Sequence, residues 1–421
     1  MKNDKDTKAL FSNTVFLYVM KVSTYIFPLI TFPYLTRVLG AANYGVITFS
    51  NAIMVYFQLI VDFGFIISST RDCSIHRDDK SKLGHILSST LQAKVLVSII
   101  GFFILVFLCL FDNTFKANKT YIMLSYLSVW LNVFVPDYLF RGIEKMGSIA
   151  YRTIFSRLIY TVLVLAFIKT QSDYILIPIF TAISDLFIVV WSWYFIFKKL
   201  EIRLKIASIK DTIDTLKSSS IFFLSRAASS IYTASNAFIL GYVISGPLMG
   251  SFGSANSLIT NLRGMFGPVS DSIYPYMVRK KNFKLIKLII LISSPIIIAG
   301  TAFLFINAEW IIRIFCGNDT GFSAAVPIFR AMLPMIVITL PIYLLGYPTL
   351  GAMNMMKEAN ITVMFAAVYH IIGLFVLHLF GALRPVPVSL LTCTSELVVL
   401  ISRIIYVYIG WREHRLEQYN G

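Results

Sequence analysis

Charge is scarce in this chain, and acid is scarcer than base. Only 14% of its 421 residues are Asp, Glu, Lys or Arg, and 57% are hydrophobic. A soluble domain carries about 25% charged residues, so the deficit excludes an ordinary water-soluble fold and leaves a polytopic membrane protein. The carboxylates number 21 against 37 Lys and Arg, a formal net charge of +16. The chain has no soluble module that presents a basic face to nucleic acid, and its cations cluster in short connections between apolar runs. That is the positive-inside pattern, and nucleic-acid binding is excluded. Cysteine is also sparse: Cys73, Cys109, Cys316 and Cys393 are scattered, with no CxxC pair. Neither a disulfide scaffold nor a zinc site is expected, and no cofactor. Lys2, Lys5 and Lys8 precede an apolar run from Leu10 to Leu35, longer than the ~7 to 15 residues of a signal-peptide core, which reads as a retained first membrane helix.

A span needs about 20 apolar residues. That rule predicts about twelve spans, at 11–36, 45–67, 84–111, 120–140, 149–169, 174–197, 218–242, 249–276, 285–306, 326–350, 359–380 and 386–409. The connections on one side hold Arg71, Arg77, Lys80, Lys82, Arg141, Lys145, Arg152, the run from Lys198 to Lys217, Arg279 to Lys284, Lys357, Arg412 and Arg415. The other side has only Arg37, Lys116, Lys119, Lys169, Arg313 and Arg384. Both termini are therefore expected in the cytoplasm. The longest polar connection falls near the midpoint, predicting an N-terminal six-helix lobe at 1–200, a cytoplasmic linker at 201–217 and a C-terminal six-helix lobe at 218–421. Leu39-Gly40, Gly45 and Ser50-Asn51-Ala52 are loosely echoed by Leu240-Gly241, Gly250 and Ser254-Ala255-Asn256, as a parallel repeat would require. Pro327, Pro334, Pro341 and Pro348 recur every seven residues through the tenth span. Each removes a backbone donor, so that span is expected bent or broken.

Several charges nevertheless lie inside the spans, where an arginine costs ~2.5 to 3.5 kcal/mol. Lys21, Lys94, Arg157, Arg226 and Arg263 fall on five different spans, at depths from which they can converge on one anion. A pyrophosphate suits them, since arginine offers forked donors and lysine a mobile point charge; snorkelling to the headgroups is the competing reading. Asp185, Glu396 and Asp62 are the carboxylates within or at the end of spans. They are candidates for ion coupling or for neutralising a nearby cation, with Asp62 better placed as a helix-end or Arg71-pairing residue. His370 and His378 lack an acidic companion at metal spacing and are read as packing residues.

The stretch after the midpoint also resembles a known family. Ser225-Arg226, then Ile231-Tyr232-Thr233-Ala234-Ser235-Asn236, then Ile239-Leu240-Gly241 are similar to the start of the second half of Wzx-type O-antigen flippases. Gly267-Pro268 through Tyr274-Pro275 is similar to the end of their next helix. Near the N-terminus the resemblance continues in Pro28, Pro33, Tyr34, Leu35, Thr36, Arg37, Leu39, Gly40, Tyr44 and Gly45, followed by Asp62-Phe63-Gly64. These proteins form the polysaccharide branch of the multidrug/oligosaccharidyl-lipid/polysaccharide (MOP) exporter superfamily.

The resemblance implies an all-α, MATE-like fold of two lobes around a cationic central cavity in the inner membrane. It also implies a cargo of undecaprenyl pyrophosphate-linked oligosaccharide moved by alternating access, with membrane lipids around the protein and an O-antigen polymerase and chain-length regulator as partners. No covalent chemistry is required of such a protein. Two other classes stand beside it. An O-antigen polymerase resembles proteins with a large outside loop, and here the longest, about Asn307 to Ala325, is too short. A small-molecule antiporter for cationic drugs would meet repulsion from the membrane cations.

Overall fold

The computed structural model describes the backbone of residues 2–244 and 246–420 and the side chains of 20, 22–223, 234–244 and 246–412. Among the described residues there is no strand. The helices are α1 (Lys2–Asp62), α2 (Phe65–Ile75), α3 (Lys80–Phe111), α4 (Asn113–Ala117), α5 (Lys119–Val133), α6 (Asp137–Gly142), α7 (Met146–Phe167), α8 (Leu176–Phe195) and α9 (Ile209–Val243). There follow α10 (Pro247–Gly264), α11 (Gly267–Lys280), α12 (Phe283–Ile306), α13 (Ala308–Cys316), α14 (Ala325–Met332), α15 (Pro334–Leu344), α16 (Met356–Leu379) and α17 (Pro385–Asn420).

Nine helical segments among the described residues are long and apolar enough to cross a membrane. The first of them, Val22–Ile75, is 54 residues long, twice what one crossing needs. Helices α9, α10 and α11 occupy the expected spans at 218–242 and 249–276 without joining those nine. Helix α10 is rich in Ser, Gly and Asn, which lowers its hydropathy. The chain then breaks at Met265 and Phe266 before α11, whose first turn contains Pro268; proline fits there because that N–H has no helical partner in any case. The protein is thus an all-α polytopic membrane protein.

The chain divides into two compact units: residues 1–39 with 46–234, and residues 40–45 with 235–421. In the first unit, Asp62 ends α1, and Phe63 (φ 35°) and Gly64 (φ 81°) break the helix before α2. A side chain at Gly64 would lie 2.6 Å from the Ser219 carbonyl, so only glycine lets α9 pass this close. Phe63 stacks on Phe223 at 4.8 Å beside it. The expected linker holds residues 201–208, which are neither helix nor strand, and the first turns of α9. Its non-helical part is tied to α3 by Lys80–Glu201 at 2.9 Å and by the Lys205 N–H, which donates to Ser88 Oγ at 3.2 Å.

In the second unit, residues 40–45 follow a kink at Gly40 (φ 72°, ψ 171°). The kink takes the Ala41 N–H out of the helical ladder, and Asp319 Oδ2 accepts from it at 3.1 Å. The proline-rich span is broken as its sequence requires, into α14, α15 and a wide turn at Leu345–Gly351. In a regular helix the Leu344 carbonyl would face the N–H of residue 348, which Pro348 lacks. Thr349 Oγ1 donates to that carbonyl instead at 2.8 Å. Beside the non-helical Gly346 (ψ −120°), the Ile342 carbonyl accepts from the Leu345 N–H and also from the buried Arg403 guanidinium. A Cβ at Gly346 would lie 2.5 Å from Arg403 Nη1. The glycine thus makes the break and leaves room for that guanidinium.

Candidate functional site

Polar residues recur along two helices of the first unit at spacings that keep them on one face. On α5 these are Tyr121, Ser125, Ser128 and Asn132; on α1 they are Asn51, Gln58 and Asp62. Steps of three, four and seven return to the same side of a helix. The two stripes line a pair of adjoining cavities, with Gln58 in the wall of both. The α5 stripe extends for about 16 Å at 1.5 Å per residue.

The more charged cavity, about 400 Å³, is lined by Gln58, Asp62, Lys94, Asn132, Asp137 and Arg141 among others. Lys94 is buried, some 21 Å along the α3 axis from Lys80. Its Nζ donates to the Asn132 carbonyl at 3.3 Å, and the Asp62 carboxylate acts on it electrostatically. Asp62 also accepts from Gln58 Nε2 at 3.0 Å. Asp137 is held from behind by Arg152, which pairs with it, donates to Ser192 and lies 4.9 Å from the Phe140 ring centroid. Lys94, Arg141, Asp62 and Asp137 thus meet in the wall of this cavity, with Arg152 behind Asp137. The second cavity, about 300 Å³, is lined by Asn51, Tyr121, Ser125, Ser128 and Thr181 with apolar neighbours. Ser128 donates to Asp185 on α8, and Arg157 on α7 acts on the same carboxylate.

The second unit holds a separate polar ladder along α17. Asn236 donates to Thr392 at 2.8 Å and shares 2.7 Å with His370 Nε2, whose Nδ1 lies 2.9 Å from Ser395. One turn on, Arg263 Nη2 donates to Glu396 Oε1 at 2.6 Å and its Nε to Thr339 at 2.9 Å. The side chains of this pair are 21% and 10% exposed. Two turns further lies Arg403, bonded to Ile342 and near Thr362.

Of the five cations expected to converge, Lys94 lines a cavity, Arg263 is engaged with Glu396, and Arg157 is exposed beside Asp185. The side chains of Lys21 and Arg226 lie outside the described residues. Arg71 pairs with its neighbour Asp72 at 3.0 Å, not with Asp62, which ends α1 and lines the cavity. Arg152, counted among the loop cations in the sequence, is 1% exposed, because α6 folds Asp137 and Phe140 over it. Arg141, Arg152, Asp137 and the α5 stripe carry no resemblance motif. The 4-3-4 recurrence of polar residues in an apolar helix was the available signal for the stripe. No group of His, Cys, Asp and Glu suited to a metal ion occurs among the described residues.

A family described as "Polysaccharide biosynthesis protein" matches residues 10–281. A protein of Escherichia coli (strain K12), named "Putative O-antigen transporter", is 27% identical over 374 residues, covering 87% of this chain and 89% of its own. One of the same name from Shigella dysenteriae is 25% identical over 273 residues, covering 65% of this chain and 68% of its own. Among solved structures, the lipid II flippase MurJ in an inward closed conformation aligns with TM-score 0.72 at 15% identity, over 94% of this chain and 87% of that one. An inward-facing multidrug resistance MATE transporter of the MOP superfamily aligns with TM-score 0.70 at 14% identity, over 95% and 99%. At those identities the likeness is one of fold.

Proposed function

We propose, because the chain belongs to the polysaccharide biosynthesis protein family, that it is a flippase for a lipid-linked repeat unit of a surface polysaccharide. The cargo is an undecaprenyl pyrophosphate-linked oligosaccharide of O-antigen type, carried across the bacterial inner membrane by alternating access. Both termini are on the cytoplasmic side. The observation that carries the reading is the polar track through the apolar first unit, with a charged cavity at one end and amide and hydroxyl groups along the other. A pyrophosphate needs charged donors. Sugars need neutral donors and acceptors with an aromatic face, which Tyr121, Asn51, Gln58 and Ser125 supply. A path of this kind replaces the water that the headgroup would otherwise lose in hydrocarbon.

Lys94 and Arg141 are the pyrophosphate contacts in this reading; Lys21, Arg157, Arg226 and Arg263 are further cations along the route. Asp185, Glu396 and Asp62 are the groups through which an ion could be coupled. The polymerase and chain-length regulator act on the unit after its release.

The test is the leaflet distribution of lipid-linked oligosaccharide in cells carrying Lys94→Ala or Arg141→Ala. The expected result is accumulation on the cytoplasmic face and loss of surface polysaccharide at normal protein level, with Lys94→Arg retaining part of the activity. Single unpolymerised repeats reaching the cell surface would overturn the reading, since transport would then be intact.

A further inference from the structure

Helix α12 has little protein around it: only 6% of its most apolar window is buried. Along one side of it runs a groove of about 470 Å³, walled by Ile286, Ile290 and Ile298 of α12, Leu345 of the wide turn, and Val407 and Trp411 of α17. Its lining is apolar apart from the hydroxyls of Ser294 and Thr349 and one charged residue, Lys287, which enters it toward one end. Lys287 is exposed, and among the described residues no carboxylate pairs with it. It belongs to a basic run of Arg279, Lys280, Lys281, Lys284 and Lys287, with no Asp or Glu until Glu309.

We infer that this groove is a binding site for one anionic phospholipid of the bilayer, its phosphate at Lys287 and Lys284 and one acyl chain lying against Ile290 and Ile298. Three observations select that occupant. From Lys287 to Ile298 the groove follows α12 for about 16 Å, half of a ~30 Å hydrocarbon core, so it has the depth of one leaflet. Its charge is confined to the end where a headgroup would lie, and basic pockets between helices attract anionic headgroups. Trp411, packed edge-on to Phe283 with ring centroids 6.4 Å apart, marks that same end as the interface, where tryptophan settles. A polyprenyl cargo tail is much longer than one leaflet is deep. The site stands whether or not the protein moves an oligosaccharide.

Native mass spectrometry of the full-length protein, released from vesicles of phosphatidylglycerol and phosphatidylcholine, tests this site. The wild type should retain one lipid with roughly fivefold or greater preference for phosphatidylglycerol. Lys287→Gln should bring that preference close to parity, and Ile290→Trp, which fills the groove, should remove the retained lipid. A phosphatidylglycerol with a photoreactive acyl chain should label the peptide spanning residues 287–298. Unchanged lipid retention in Ile290→Trp, or labelling of that peptide by a photoreactive polyprenyl phosphate in preference to phosphatidylglycerol at equal mole fraction, would overturn the assignment.

Discussion

Truncating Arg263 separates its structural part from any part in transport. Its guanidinium meets Glu396 at 2.6 Å and Thr339 at 2.9 Å, so Arg263→Ala leaves a carboxylate in the helix core without its main partner. Breaking a fully buried pair from one side costs ~3 to 5 kcal/mol. Two features place this pair at the lower end: Arg263 is 21% exposed, and Arg403 acts electrostatically on Glu396 as a second cation. The expectation is about 3 kcal/mol for Arg263→Ala, and less for Glu396→Gln, which keeps an acceptor. Replacing both, as Arg263→Met with Glu396→Leu, removes the two desolvation costs together and should recover most of the loss. Unfolding in mixed micelles of the wild type, Arg263→Met, Glu396→Leu and the double variant measures the coupling; single-variant losses that add to within ~0.5 kcal/mol would refute the pairing argument. Polysaccharide export is then measured in the stable double variant. Lost export with recovered stability would give Arg263 or Glu396 a part in transport beyond their pairing. Recovery of both would confine the pair to holding α10 against α17.

Two further outcomes follow from particular contacts. Gly346→Ala would set a Cβ 2.5 Å from Arg403 Nη1 and should destabilise the second unit by ~1 to 3 kcal/mol, as overpacking does; unfolding midpoints check this, with Gly300→Ala, where nothing lies within 4 Å, as the neutral control. Asp79, Glu201 and Asp211 all titrate below the usual carboxylate range, through the Lys82 backbone N–H, the Lys80 ammonium and the Ser208 hydroxyl respectively. A lowered folded pKa means that their stabilisation is present above the unfolded value of about 4 and is lost as pH falls through the folded one. Protection factors of amides 201–211, corrected for intrinsic exchange, should therefore drop below about pH 4 and hold steady from pH 5 to 8.

Much of this protein is written in its composition. Runs of about 20 apolar residues can satisfy their backbone in hydrocarbon only as helices, so the all-α class and the long apolar segments, nine among the described residues, follow from hydropathy. The four prolines likewise point to a bent or broken tenth span, since a proline inside a helix deletes a donor, and the breaks fall beside Pro334 and Pro348. The sequence also identified charges inside the apolar spans, though not their surroundings: Lys94 lines a cavity, Arg263 pairs with Glu396 and Arg157 is exposed.

Tertiary structure decided which charge meets which. Arg263 and Glu396 are 133 residues apart, and no local rule pairs them; packing of α10, α15 and α17 brings them to one point. Arg152 reads as a loop cation until α6 lays Asp137 and Phe140 across it. Asp62 lies nine residues before Arg71, yet its carboxylate accepts from Gln58 one turn back in α1 and acts on Lys94 of α3. Hydropathy is a property of each segment by itself and is legible residue by residue. A charge inside a membrane protein takes its meaning from its partner, and only the fold supplies one.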